Sequence, residues 1–162
     1  MRQLVILSVF STTFLLPLIF IILFRIINKH YYTKRSASEM SFIYLFTAIS
    51  YYSGYYFISQ LPLAGFYKTG LLAGTLVLIS LSLIALRWKI SSYMAGAGAI
   101  AGITIAVMLR LGVYNLTFLS AVLLIGGLTG FSRLRLKKNT PLQVCTGYLL
   151  GFGILFLVFS YI

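Results

Sequence analysis

Apolar positions run along this chain in long unbroken blocks, and the charges gather in the short stretches between them. Six blocks contain no Asp, Glu, Lys or Arg: 3–24, 40–67, 69–86, 90–109, 111–132 and 139–162. About 20 apolar residues at a rise of 1.5 Å each cross a hydrocarbon core ~30 Å thick, so each block predicts one transmembrane helix. The longest block also has room for a turn at Gln60-Leu61-Pro62. A membrane β-barrel does not fit, because its strands alternate in polarity and are about 10 residues long. The expected fold is all-α, a polytopic membrane protein with a six-transmembrane-helix bundle forming a single domain over 1–162. Its helices are expected near 3–27, 38–59, 67–86, 91–109, 113–131 and 141–162.

Finer signals sit within the blocks. The first resembles a retained helix more than a cleaved leader, since no small-residue cleavage site precedes Arg25. Pro17 inside it removes a backbone donor and predicts a kink. Ser36 and Glu39 have the Ser-x-x-Glu spacing of a helix cap. Tyr44, Tyr51, Tyr52, Tyr55, Tyr56 and Phe57 crowd the second helix and suit an interfacial belt or a protein contact. Glycines recur four apart as Gly70/Gly74, Gly98/Gly102, Gly126/Gly130 and Gly147/Gly151, on one face of a helix each time, and predict close-packed seams. Arg110 and Asn115 mark the expected fourth turn, and Cys145 reads as a small packing residue of the last helix.

Composition then narrows the chemistry. Hydrophobic residues make up 60% of the chain, which fits a membrane protein. Thirteen Lys and Arg face a single acid, Glu39, for a net charge of +12. Mechanisms needing paired carboxylates are excluded, and so are carboxylate-bound metals. One His and one Cys, His30 and Cys145, assemble neither a zinc site nor a disulfide, so no metal and no cofactor is expected. Cations lying between membrane spans point to anionic or phosphorylated lipids as partners and not to nucleic acid. Ten of them (Arg25, Lys29, Lys34, Arg35, Arg87, Lys89, Arg133, Arg135, Lys137 and Lys138) fall in the odd-numbered loops, and only Arg2, Lys68 and Arg110 fall opposite. By the positive-inside rule the odd loops are cytoplasmic.

Candidate chemistry collects in two of those odd loops. The fifth runs Phe131-Ser132-Arg133-Leu134-Arg135-Leu136-Lys137-Lys138-Asn139-Thr140-Pro141-Leu142-Gln143, ahead of a Gly-rich last helix. It resembles the third signature of the type 2 phosphatidic acid phosphatase (PAP2) superfamily: Ser-Arg, five residues, His, three residues, Asp. Ser132 and Arg133 match in identity, with Asn139 at the His position and Gln143 at the Asp position. The third loop, Trp88-Lys89-Ile90-Ser91-Ser92-Tyr93-Met94-Ala95-Gly96, is similar to the second signature in its Lys-Ile-Ser-x-His-x-x-Gly form, with Tyr93 at the His position. The first signature, Lys, six residues, Arg-Pro, is absent. The resemblance covers roughly 40–162.

In that family the third-signature His attacks phosphorus, the second-signature His protonates the leaving alcohol, and Lys and Arg hold the phosphoryl oxygens. Here both histidines are replaced. The amide nitrogen of Asn139 has a delocalised lone pair and cannot attack. Tyr93 is a poor proton donor beside imidazole, and Gln143 has no imidazolium to orient. The resemblance therefore implies degenerate catalytic positions Tyr93, Asn139 and Gln143, and a retained phosphate-binding set Lys89, Ser132 and Arg133. Arg135, Lys137 and Lys138 are candidate additions, more simply explained by topology and headgroup snorkelling. The expected function is that of a catalytically degenerate PAP2-like protein of a bacterial inner membrane. It would bind a lipid phosphate or serve as accessory subunit of a membrane complex. The alternative is an active lipid phosphatase or diphosphatase with a rewired nucleophile. Family members whose signatures face outward argue against the charge rule on sidedness. With the catalytic residues replaced, the charge rule carries more weight.

Overall fold

The computed structural model describes residues 14–19, 22, 37–60 and 65–161. Among these it is all-helical. Five long helices follow one another: α1 Ala37–Ser59, α2 Gly65–Ala85, α3 Ser92–Leu111, α4 Leu116–Arg135 and α5 Pro141–Tyr161. Pro17 lies in a short helical stretch at 16–19. Ser36 and His30 lie outside the described residues, as does most of the expected span 3–27. The helices α2, α3, α4 and α5 are 20 or 21 residues long with mean hydropathy from 1.5 to 2.0, enough to cross a membrane. Their outward faces carry large apolar side chains such as Leu83, Leu124, Leu128 and Leu149, each more than 60% exposed. Water would not tolerate such a surface, whereas lipid does.

The chain divides into two compact units, Met1–Trp88 and Lys89–Ile162. In the first, α1 and α2 pack antiparallel, as their pairings require. Ser41 Oγ donates to the Ser82 carbonyl at 2.8 Å and Ser82 Oγ returns a bond to the Ser41 carbonyl at 3.0 Å. Further along, the ring of Tyr51 lies over Gly74, 3.0 Å from where a Cβ would stand. At the far end Lys68 Nζ donates to the Ser59 carbonyl at 3.2 Å, capping the last turn of α1. The reciprocal serine bonds are buried, and they fix the register of two helices that otherwise meet through apolar surface. Tyr51 thus makes a protein contact, while Tyr52, Tyr56 and Phe57 point outward.

In the second unit α3 packs chiefly against α5 and less closely against α4. Gly98 faces the Tyr148 carbonyl and Gly102 the Phe152 carbonyl, while Gly147 and Gly151 face the carbonyls of Ser91 and Ala95. Residue numbers rise together along both helices, so α3 and α5 are parallel and α4 returns between their ends. A Cβ at Gly102 would lie 2.5 Å from an oxygen of α5, and one at Gly147 2.6 Å from an oxygen of α3. Only glycine permits backbones this close. Tyr148, Phe152 and Phe156 stack along α5 at centroid spacings of 6.4 and 5.6 Å. Hydroxyls in the spans, including Thr75, Thr104, Thr129 and Thr146, donate to carbonyls four residues back, which satisfies them without water.

Several boundaries differ from expectation. Helix α3 continues past 109 to Leu111, so Arg110 belongs to its last turn, where a cation meets the negative end of the helix dipole. Gly112, at φ 65°, then closes the helix in the left-handed conformation. Helix α4 starts at Leu116 and not at 113, because Asn115 Oδ1 accepts the Phe118 N–H at 3.1 Å and caps it. It also runs to Arg135, four residues beyond 131, so Ser132 and Arg133 are helical and not in a loop. Cys145 is exposed on the outer face of α5, not packed inside it.

Candidate functional site

Because α3 and α5 are parallel, the start of α3, the end of α4 and the start of α5 meet at one end of the second unit. That end gathers the sequence-predicted set Lys89, Tyr93, Ser132, Arg133, Asn139 and Gln143, together with Ser91, Arg135, Lys137 and Lys138. The Ser91 N–H donates to the Gln143 carbonyl at 3.4 Å and ties the two helix starts together. Ser91 occupies the cap position of α3 without a side-chain cap bond. Its buried hydroxyl has no partner among the described residues.

Two distinct groupings form there. In one, the Arg133 guanidinium lies over the Tyr93 ring, Cζ 3.4 Å from the centroid, joining α4 to α3. In the other, Lys89, Lys137 and Lys138 line an open hollow of about 580 Å³ with Leu134, Asn139, Thr140, Pro141 and Gln143. Arg133 and Tyr93 stand outside that lining. Ser132 does too, and its hydroxyl donates to the Thr129 carbonyl at 2.9 Å within its own helix. The three residues expected to hold phosphate are thus divided: Lys89 lines the hollow, Arg133 is held by Tyr93, and Ser132 is engaged with backbone.

Two positions that the resemblance reads as degenerate, Asn139 and Gln143, have structural work of their own. Gln143 Oε1 accepts from the Thr140 N–H at 3.1 Å, and Thr140 Oγ1 accepts from the Gln143 N–H at 3.4 Å. This is a capping box, Thr-x-x-Gln with Pro141 in the first helical position. Asn139 Nδ2 adds a 3.3 Å bond to the same Gln143 oxygen. Asn139 and Gln143 therefore build the entry to α5. The sequence held this signal in Thr140-Pro141-Leu142-Gln143, where the reading of Gln143 as a replaced Asp obscured it.

The turn that presents the lysines is a Schellman motif. The Lys138 N–H donates to the Arg133 carbonyl at 3.2 Å and the Lys137 N–H to the Leu134 carbonyl at 3.0 Å. Its left-handed residue is Lys137, at φ 50°, the only non-glycine with positive φ among the described residues. The lining contains no carboxylate, so nothing there neutralises the three ammonium groups. Such a hollow is suited to an oxyanion, with Lys charges, the Asn139 amide and the Thr140 hydroxyl available as donors.

No family model, curated protein or solved structure matches the chain.

Proposed function

We propose that the chain is a PAP2-like integral membrane protein of a bacterial inner membrane, a six-helix bundle that has lost catalysis and binds a phosphate-bearing lipid headgroup. The convergence of Lys89, Lys137 and Lys138 on one hollow at a helix end carries this reading. Helices of 20 or 21 apolar residues put their ends at headgroup depth, where a lipid phosphate would meet those cations. Arg133 belongs to the same binding end. A guanidinium stacked on an aromatic face still presents its N–H edge for a forked grip on phosphate.

Loss of catalysis follows from the chemistry of the side chains. The amide of Asn139 is no nucleophile, and the Oε1 of Gln143 is occupied by the turn it caps. Purified protein should release no phosphate from phosphatidic acid or undecaprenyl diphosphate. Release that disappears in Asn139→Ala would instead establish an active phosphatase. Retention of anionic lipid, read by mass spectrometry of the intact particle, should fall in a Lys89→Ala/Arg133→Ala double variant, and unaltered retention would overturn the binding reading. The same measurement reports protein subunits held stoichiometrically, the sign of an accessory role in a larger complex.

The basic end is assigned to the cytoplasmic side on the charge rule. With Cys145→Ala as background, Lys138→Cys should react with an impermeant thiol reagent only in broken cells. Labelling of intact cells would reverse the assignment.

A further inference from the structure

The left-handed residue of the Schellman turn is where glycine is normally found, since an L side chain there crowds the following carbonyl. In this chain it is Lys137, a residue that lines the hollow together with Lys89 and Lys138. The same unit closes α3 with Gly112 in that conformation, at the opposite membrane end and with open space around it. Two turns of one unit thus answer the same backbone demand differently. The turn at Gly112 uses glycine, and the turn that forms a wall of the hollow keeps a long cationic side chain at a cost in backbone energy.

Resting on the lipid-phosphate reading above, we infer that Lys137 is a direct ligand of the bound oxyanion, held in a strained turn because that turn aims its ammonium at the hollow. The ligand chemistry is a phosphate oxyanion, from a lipid headgroup or from free phosphate. The Schellman bonds consume the N–H groups of Lys137 and Lys138, so the turn contributes side-chain charge and not a backbone anion nest. Arg135, in the last turn of α4 just before the Schellman turn, lies outside the lining and is not part of the grip.

The inference separates stability from binding, because the two move in opposite directions. The full-length protein is compared with Lys137→Gly, Lys137→Asn and Lys137→Arg in nanodiscs of phosphatidylcholine containing phosphatidic acid. Lys137→Gly should raise the unfolding temperature while lowering phosphatidic acid retention roughly threefold, the scale of one exposed ionic contact. Lys137→Asn, which also tolerates the left-handed region, should lose retention equally, and Lys137→Arg should keep it. Titration with inorganic phosphate in phosphatidylcholine alone identifies the source. A thermal shift seen in the wild type and absent in Lys137→Gly assigns free phosphate, and a response confined to phosphatidic acid assigns the headgroup. Wild-type retention in Lys137→Gly alongside loss in Lys89→Ala would overturn the role of Lys137 and leave the hollow standing. Wild-type retention in both would remove the hollow as well.

Discussion

Helices α4 and α5 both carry a Gly-x-x-x-Gly pair, and both neighbour α3, yet they use the pair differently. On α5, Gly147 and Gly151 bring their backbone against the carbonyls of α3, and Gly98 and Gly102 of α3 answer against α5. On α4, a Cβ at Gly126 would meet Tyr148 at 3.5 Å and one at Gly130 would meet Met94 at 3.4 Å, both side chains and both at ordinary contact. Gly126 and Gly130 are buried, but they are the only buried residues of α4. The motif therefore marks a face that is turned inward in both helices, and a close backbone seam only where the partner offers small residues in return.

The largest effect should come from breaking the reciprocal seam. Gly151→Leu would drive a side chain into the Ala95 backbone, which cannot rotate away. Separating α3 from α5 should cost roughly 3 kcal/mol, the upper end for overpacking. Thermal unfolding in detergent should show Gly151→Leu and Gly98→Leu far less stable than wild type. A near-native unfolding temperature would mean the seam is not a close backbone contact.

A smaller effect is expected at the ends of α4, where a cap and a cation–π contact hold it. Asn115→Ala removes the acceptor for the Phe118 N–H and should cost about 1 kcal/mol. At the other end of α4, Tyr93→Ala removes the ring under Arg133, worth roughly 0.5–1 kcal/mol, while Tyr93→Phe keeps the face and should be neutral. If Tyr93→Phe were as damaging as Tyr93→Ala, the hydroxyl and not the ring face would hold α4.

What the sequence disclosed follows the same division. Apolar blocks located α1 to α5, because a span has no water to interrupt it, and the glycine spacing showed which faces turn inward. Which glycines meet backbone was not legible, since that depends on the partner helix. The end of α4 was misjudged because Arg133 and Arg135 read as loop by charge, although basic residues favour the last helical turn. The residues singled out by signature spacing, Lys89, Tyr93, Ser132, Arg133, Asn139 and Gln143, lie at one end of the second unit. Their division of labour was not. Lys137 gave no local sign of a left-handed turn, since glycine or asparagine is the usual mark.

The smallest and most discriminating change is Gly130→Ala. In water, alanine improves on glycine in a helix by about 1 kcal/mol, and an all-helical membrane reference state reduces that gain. Against it stands only the cost of moving Met94, whose Cε and Sδ would lie 3.4 and 3.5 Å from the new methyl. Methionine is unbranched and yields easily. Val144, at 3.6 Å, is already at a comfortable distance. Gly130→Ala should therefore shift stability by less than about 1 kcal/mol, toward greater stability. Gly127→Ala, with nothing within 4 Å of the added carbon, measures the propensity gain alone. If Gly130→Ala fell well below Gly127→Ala in unfolding temperature, α4 would be seated against α3 and α5 as firmly as they are against each other, and the contrast between the two glycine pairs would disappear.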